Sequence, residues 1–176
     1  MQQIRLIFLI ILIFILNNCT NMKPEDYKNT EPEIKIEKYF LGNVKAWGIF
    51  QDRSGKVKRQ FTAEMNGSFD GKILILDEDF SWNDGEKQKR KWTIKKVKDN
   101  EYEGTAADVI GVAKGISHGS AFKFEYNLLI PYKDKKIKVR FDDWIFQQDN
   151  KVAINRATVS KFGFKVGELT VFFLKN

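Results

Sequence analysis

Cysteine and histidine are almost missing from this chain: it has one of each, Cys19 and His118. That excludes a disulfide framework and any Cys/His zinc site built within one chain. It also leaves His118 as the only imidazole that could serve as a base. Proline is scarce too, with Pro24, Pro32 and Pro131 the only three. From residue 44 onward no long 3.6-residue apolar period occurs, so helices are expected to be few. The longest apolar run, Leu6 to Leu16, has eleven residues. That is too short to cross a bilayer as a helix and fits the core of an export signal.

Apolar side chains and charge are plentiful. Hydrophobic residues make up 43% and aromatic residues 14%, enough to bury a core and too many for a disordered chain. The length favours one domain. Net charge is +7, and loss of residues 1–18 would remove only Arg5, leaving +6. A basic domain is drawn to anionic surfaces. With an export signal in front, lipid head groups are the expected surface, and nucleic acid is not expected.

The N-terminus reads as that signal. Arg5 supplies a positive start, the apolar run follows, and Leu16-Asn17-Asn18-Cys19 closes it. These four residues resemble the lipobox of bacterial lipoproteins, whose cysteine is acylated and becomes the new N-terminus. Leu16 fits the motif, while Asn18 departs from the small residue usual there. An uncleaved apolar anchor is the alternative, and both readings tether the domain. Thr20 in place of Asp resembles the enteric sorting pattern for the outer membrane, facing the periplasm. The expected organisation is therefore a signal over 1–18, a lipidated Cys19 with a flexible tether over 19–33, and a folded domain over 34–176.

From residue 44 the chain alternates apolar and polar residues between turn signals. Nine strands are expected, over 44–53, 56–67, 71–82, 86–97, 101–108, 120–131, 136–148, 151–160 and 164–174. Asp70-Gly71, Asp84-Gly85 and Asp149-Asn150 supply tight turns between them. A meander with one apolar face must close or fold over to bury that face. The expected fold is all-β: a single antiparallel up-and-down barrel of about eight to ten strands, lipocalin-like, with a two-sheet sandwich as the alternative. Such a barrel can hold one small ligand.

Charges on apolar faces mark candidate ligand-binding residues. Asp143 shares parity with Ile137, Val139, Phe141 and Ile145, and a two-residue Asp149-Asn150 turn would set it opposite Arg156. Arg59 lies on the face of Phe61, Ala63 and Met65, opposite Phe50, near a strand end where its head can reach water. The run Asp77-Glu78-Asp79 suggests a metal or glycosidase carboxylate pair, but alternation turns Glu78 away from its neighbours. Cross-strand pairing with Lys87 to Lys91 is the simpler reading, and a two-residue Asp84-Gly85 turn would set Asp79 opposite Arg90 and Asp77 opposite Trp92. The glycines from Gly104 to Gly119 match neither a phosphate loop nor a dinucleotide fingerprint. They read as a bent strand, or as a loop over one barrel mouth carrying Asp108 and His118. Trp144 and the other three tryptophans are expected in the core or at a rim.

Several strings resemble one family. They are Tyr39 to Gly55, Leu76-Asp-Glu-Asp-Phe80, Asp108 to Gly115, Asp142-Asp-Trp144 and Asn155 to Gly163. They are similar to the bacterial lipoproteins grouped as domain of unknown function 3833. The resemblance singles out Asp108, Asp142, Asp143, Trp144, Asn155, Arg156 and Lys161 as motif positions and implies no activity. The resulting expectation is a membrane-anchored carrier that binds or transfers a lipid, such as a fatty acid or phospholipid, or another small amphiphile, without cofactor or metal. An enzyme acting on envelope lipid, with Asp143 or Asp108 and His118 as acid and base, is one alternative. A scaffold without a ligand is the other.

Overall fold

Pleated stretches that alternate along their whole length leave one apolar face per strand, and closure of the sheet removes that face from water without leaving an edge. The computed structural model describes residues 22–132 and 134–176. The expected signal and Cys19 lie outside them. Ten strands run β1 (Gly42–Asp52), β2 (Val57–Phe69), β3 (Ile73–Trp82), β4 (Lys87–Lys96), β5 (Glu101–Thr105), β6 (Val109–His118), β7 (Ala121–Tyr132), β8 (Lys135–Gln147), β9 (Val152–Lys161) and β10 (Phe164–Lys175). Each pairs antiparallel with its chain neighbours, and β1 pairs with β10 to close the barrel. The expected up-and-down barrel is the observed fold.

The strand missing from the nine-strand reading is β6. It lies in the glycine-dense stretch, which is a bent strand with a register shift between Ile110 and Lys114. The glycines there make room for rings from β7. A Cβ on Gly104 would sit 2.5 Å from the Phe124 ring, and one on Gly115 would sit 2.8 Å from the Phe122 ring.

The two ends of the barrel differ. At the end where β1 begins, a short helix α1 (Ile36–Tyr39) and its flanks plug the opening. Ile34, Ile36, Tyr39 and Phe40 are buried there. The Ile34 amide donates to the Gly119 carbonyl at 2.8 Å, and the Tyr39 hydroxyl donates to the Lys151 carbonyl at 2.9 Å. Glu37 is buried in the plug, where it accepts from Lys96 at 2.8 Å and from Tyr102 at 2.9 Å. Burial works against its charge, but these donors, Lys96 foremost, hold its carboxyl below the usual carboxylate range.

The stretch expected to be a tether joins this end from residue 22 on. A 3-10 turn (Pro24–Tyr27) buries Pro24, and the Tyr27 ring packs 5.3 Å from Phe146 and 6.0 Å from Trp144. Thr30 bonds to Ser120 at 2.8 Å. Average polarity concealed these three anchoring residues, whose packing offsets the cost of ordering the chain.

Candidate functional site

Burial along the lumen falls from the plugged end toward the other. At the plugged half the rings interlock: Tyr102 on Phe122, Phe122 on Phe124, and Trp92 on both Phe124 and Tyr126, with centroids 5.2–5.6 Å apart. At the opposite end, inward residues such as Phe50, Phe80, Trp82, Ile130, Ile137 and Leu169 are only half-buried. We call this end the mouth.

Below the mouth lies a cluster of charged and polar side chains, carried by the inward faces of strands and by the β5–β6 turn. Arg90 on β4 pairs with Asp108, in the β5–β6 turn, at 2.5 Å. Their side chains are 18% and 27% exposed, so water reaches the pair. Glu78 on β3 is the cross-strand neighbour of Arg90 and is buried. Deeper in, Asp143 on β8 accepts from the Tyr126 hydroxyl and, at 2.9 Å, from the Asn155 amide on β9. The Phe141 ring stacks on Tyr126 with centroids 5.3 Å apart.

The electrostatics of this cluster are out of balance. Three carboxyls share one guanidinium. Burial is the largest influence on Glu78 and pushes its pKa up to about 7, partly opposed by Arg90 and reinforced by Asp108 and Asp143. Burial also raises Asp143, against the hydrogen bonds from Tyr126 and Asn155. The Tyr126 phenol is raised well above its ordinary value by burial and then by the Asp143 charge. Three buried atoms of the cluster have no hydrogen-bond partner: Glu78 Oε2, Arg90 Nε and Asp108 Oδ1. Buried atoms of this kind are normally satisfied, so the cluster is chemically incomplete as it stands.

The expected candidates do not all converge here. Asp108 and Asp143 belong to the cluster. Arg59 lies at the mouth, opposite Phe50 as expected; its guanidinium stacks 4.0 Å from the Trp82 ring and pairs with Asp84 and Glu86. Arg156 faces outward and pairs with Glu168 at 3.4 Å; it is not the partner of Asp143. The Asp149 turn has three loop residues, because the Asp149 carboxylate takes the amides of both Lys151 and Val152 at 2.7 Å. That shifts the register by one, so Asp143 meets Ala157 and Trp144 meets Arg156. The inward face of β9 is therefore the small one, with Ala153, Asn155, Ala157 and Val159. Trp144 faces outward under Tyr27, with Lys123 5.5 Å from its ring centroid.

His118 sits at the plugged end. It lies 3.4 Å from Asn100 and 3.8 Å from Glu25, away from the mouth cluster, so it shares no site with Asp108 or Asp143. The Asp84 turn likewise has three loop residues, which sets Glu78 opposite Arg90 in place of Asp79. Asp77 and Asp79 face outward, paired with Lys91 and Lys89 at 3.0 and 2.9 Å, the cross-strand pairing expected. Glu78 and Arg90 were the residues missed. Their signal was parity, Glu78 with Leu76 and Phe80, and Arg90 with Trp92. Among the described residues, no three His, Cys, Asp or Glu side chains converge as a metal site.

The closed ten-stranded lipocalin-like barrel, charged below its mouth, defines the class of protein. The chain belongs to the family described as protein of unknown function (DUF3833), whose model matches residues 13–175. No curated protein matches it. Among solved structures it is similar to the S-type phycobiliprotein lyase CPES from Guillardia theta, at 7% identity and a TM-score of 0.58. That alignment covers 89% of this chain and 98% of the lyase. A redesigned β barrel, mFAP1, bound to DFHBI aligns at 8% identity over 79% of this chain and 97% of its own, with a TM-score of 0.41. At 7% identity the likeness to the lyase is one of fold.

Proposed function

We propose that the chain is a membrane-anchored carrier, held by an acylated Cys19 in the cell envelope, that takes one small amphiphile into the barrel mouth. The observation that carries this reading is the contrast between the ends. One end is stoppered by Ile34 to Phe40, and the other has half-buried aromatic and aliphatic residues around charged groups with unpartnered polar atoms. An apolar lining with a few converging polar groups is the usual form of a small-molecule site.

The polar cluster selects the ligand's head. Two of the three unpartnered atoms are carboxyl oxygens, Glu78 Oε2 and Asp108 Oδ1, and carboxyls outnumber the guanidinium. A head that donates hydrogen bonds, such as a hydroxyl, amide or amine, would satisfy them. A bare carboxylate would add to a surplus of negative charge. Lipids with neutral donor heads are thus favoured over free fatty acids.

Native mass spectrometry of the full chain purified from bacterial membranes tests both halves. The expected spectrum shows a lipid-modified Cys19 and a copurified lipid that is lost in Glu78→Leu/Asp108→Leu protein. If protein of normal fold carries no lipid, and neither a monoacylglycerol nor a fatty acid or phospholipid binds it on addition, the carrier reading fails. An unmodified Cys19 would remove the anchor while leaving the carrier intact.

A further inference from the structure

The turn joining β9 to β10 has the sequence Lys161-Phe162-Gly163-Phe164-Lys165. Both phenylalanines project into solvent, Phe162 at 88% and Phe164 at 77% exposure. Isolated exposed apolar residues are ordinary. Two rings on one turn tip, with a lysine on each side, are not. Phe162 also holds a left-handed backbone, with φ at +52°, where turns of this kind favour asparagine or glycine. The turn thus spends its most demanding position on a ring that touches little of the protein.

The rest of the mouth carries the same combination. Val166 is exposed beside the tip, and Val57 is exposed where β2 begins at the mouth end. Lys135 and Lys136 are exposed at the start of neighbouring β8, and Lys56 is exposed in the β1–β2 turn. Most acids at this end are engaged, Asp84 and Glu86 by Arg59, Asp52 by Lys58, and Glu168 by Lys165 and Arg156, while Asp134 is exposed in the β7–β8 turn. The mouth is left with a basic excess around apolar tips.

We propose that this tip is a docking surface for an anionic phospholipid bilayer, with Phe162 and Phe164 entering the head-group region and Lys161, together with Lys135 and Lys136 on the adjacent β7–β8 hairpin, meeting phosphates. Aromatic rings settle at that depth, and lysines beside them gain from the negative surface potential. The tip is convex, so it suits a soft bilayer better than a preformed protein pocket. The contact brings the barrel mouth to the lipid surface and does not depend on acylation of Cys19 or on a bound ligand.

The whole core lies between Ile34 and Phe173, so the chain from residue 22 onward contains every element of the fold and can be tested alone. Cosedimentation with vesicles of phosphatidylglycerol and phosphatidylethanolamine, against phosphatidylcholine vesicles, is the experiment. Binding to the anionic vesicles is expected, with at least tenfold loss in phosphatidylcholine or in the Phe162→Ser/Phe164→Ser variant. A Lys135→Gln/Lys136→Gln/Lys161→Gln variant should keep its fold and lose most of the salt-sensitive binding. Absence of binding to anionic vesicles, or equal binding by the serine variant, overturns the proposal. So does a dimer in gel filtration that the serine variant dissolves, because the rings would then serve a second copy of the chain.

Discussion

Replacing Glu78 by glutamine should stabilise the barrel, and by an amount that depends on pH. The folded carboxyl titrates near 7, against an ordinary value of 4.5. An acid whose pKa rises on folding holds its proton more tightly in the folded state. The unfolded chain releases its proton first as pH rises, so stability is highest below pH 4.5 and falls until the folded group ionises near pH 7. A gap of two to three units corresponds to about 3 kcal/mol across that window. Glutamine keeps the shape of the protonated acid and cannot ionise. At pH 5 the variant should match the wild type to within about 1 kcal/mol, and at pH 8.5 it should be more stable by about 2–3 kcal/mol. In a domain of this size that is roughly 5–10 °C in melting temperature. Urea unfolding of both proteins from pH 5 to 9 reads the effect. A variant that is less stable at pH 8.5, or a difference flat across the range, would show that Arg90 compensates the Glu78 charge in full.

Three further substitutions probe other parts of the barrel. Gly67→Ala would place a Cβ 1.8 Å from the Phe40 carbonyl, so the plug must shift; faster cleavage within residues 22–40 in limited proteolysis, with a cost of about 1–3 kcal/mol, is expected. Asn155→Ala should cost about 2 kcal/mol in urea unfolding by stripping a donor from buried Asp143, while Arg156→Ala, on the surface, should change stability by less than about 0.5 kcal/mol; the reverse order would refute the β8–β9 register. Glu37→Gln should cost about 2 kcal/mol at pH 7 by weakening the bonds from Lys96 and Tyr102. Because the Glu37 pKa is lowered on folding, that penalty should shrink as pH falls through the carboxylate range.

The architecture was legible because two-residue alternation persists through nearly every strand. Phe122, Phe124, Tyr126 and Leu128 face the lumen as their spacing requires. Asp143 was legible for the same reason, as a charge on an apolar face. Its partners were not. Facing residues depend on loop length, and the Asp84 and Asp149 turns each hold one residue more than their Asp-Gly and Asp-Asn pairs suggest. One residue reverses the face of a strand. It replaced Arg156 with Asn155 and Asp79 with Glu78. On β9 the larger residues Val152 and Ile154 face outward with Arg156, and the lumen beside the β7 and β8 rings takes the smaller Ala153, Asn155 and Ala157. The role of Pro24 and Tyr27 was hidden because anchoring by two or three residues leaves no period to detect.

Because each strand lies beside its chain neighbours, nearly all of the sheet can form locally, one hairpin after another. The seam between β1 and β10 is the exception, since it joins the first strand made to the last. Until translation delivers Phe164 to Lys175, a growing chain has two raw sheet borders and an unfinished lumen. Chaperone engagement should therefore persist until β10 has been made, and a nick within β10 should open the whole barrel.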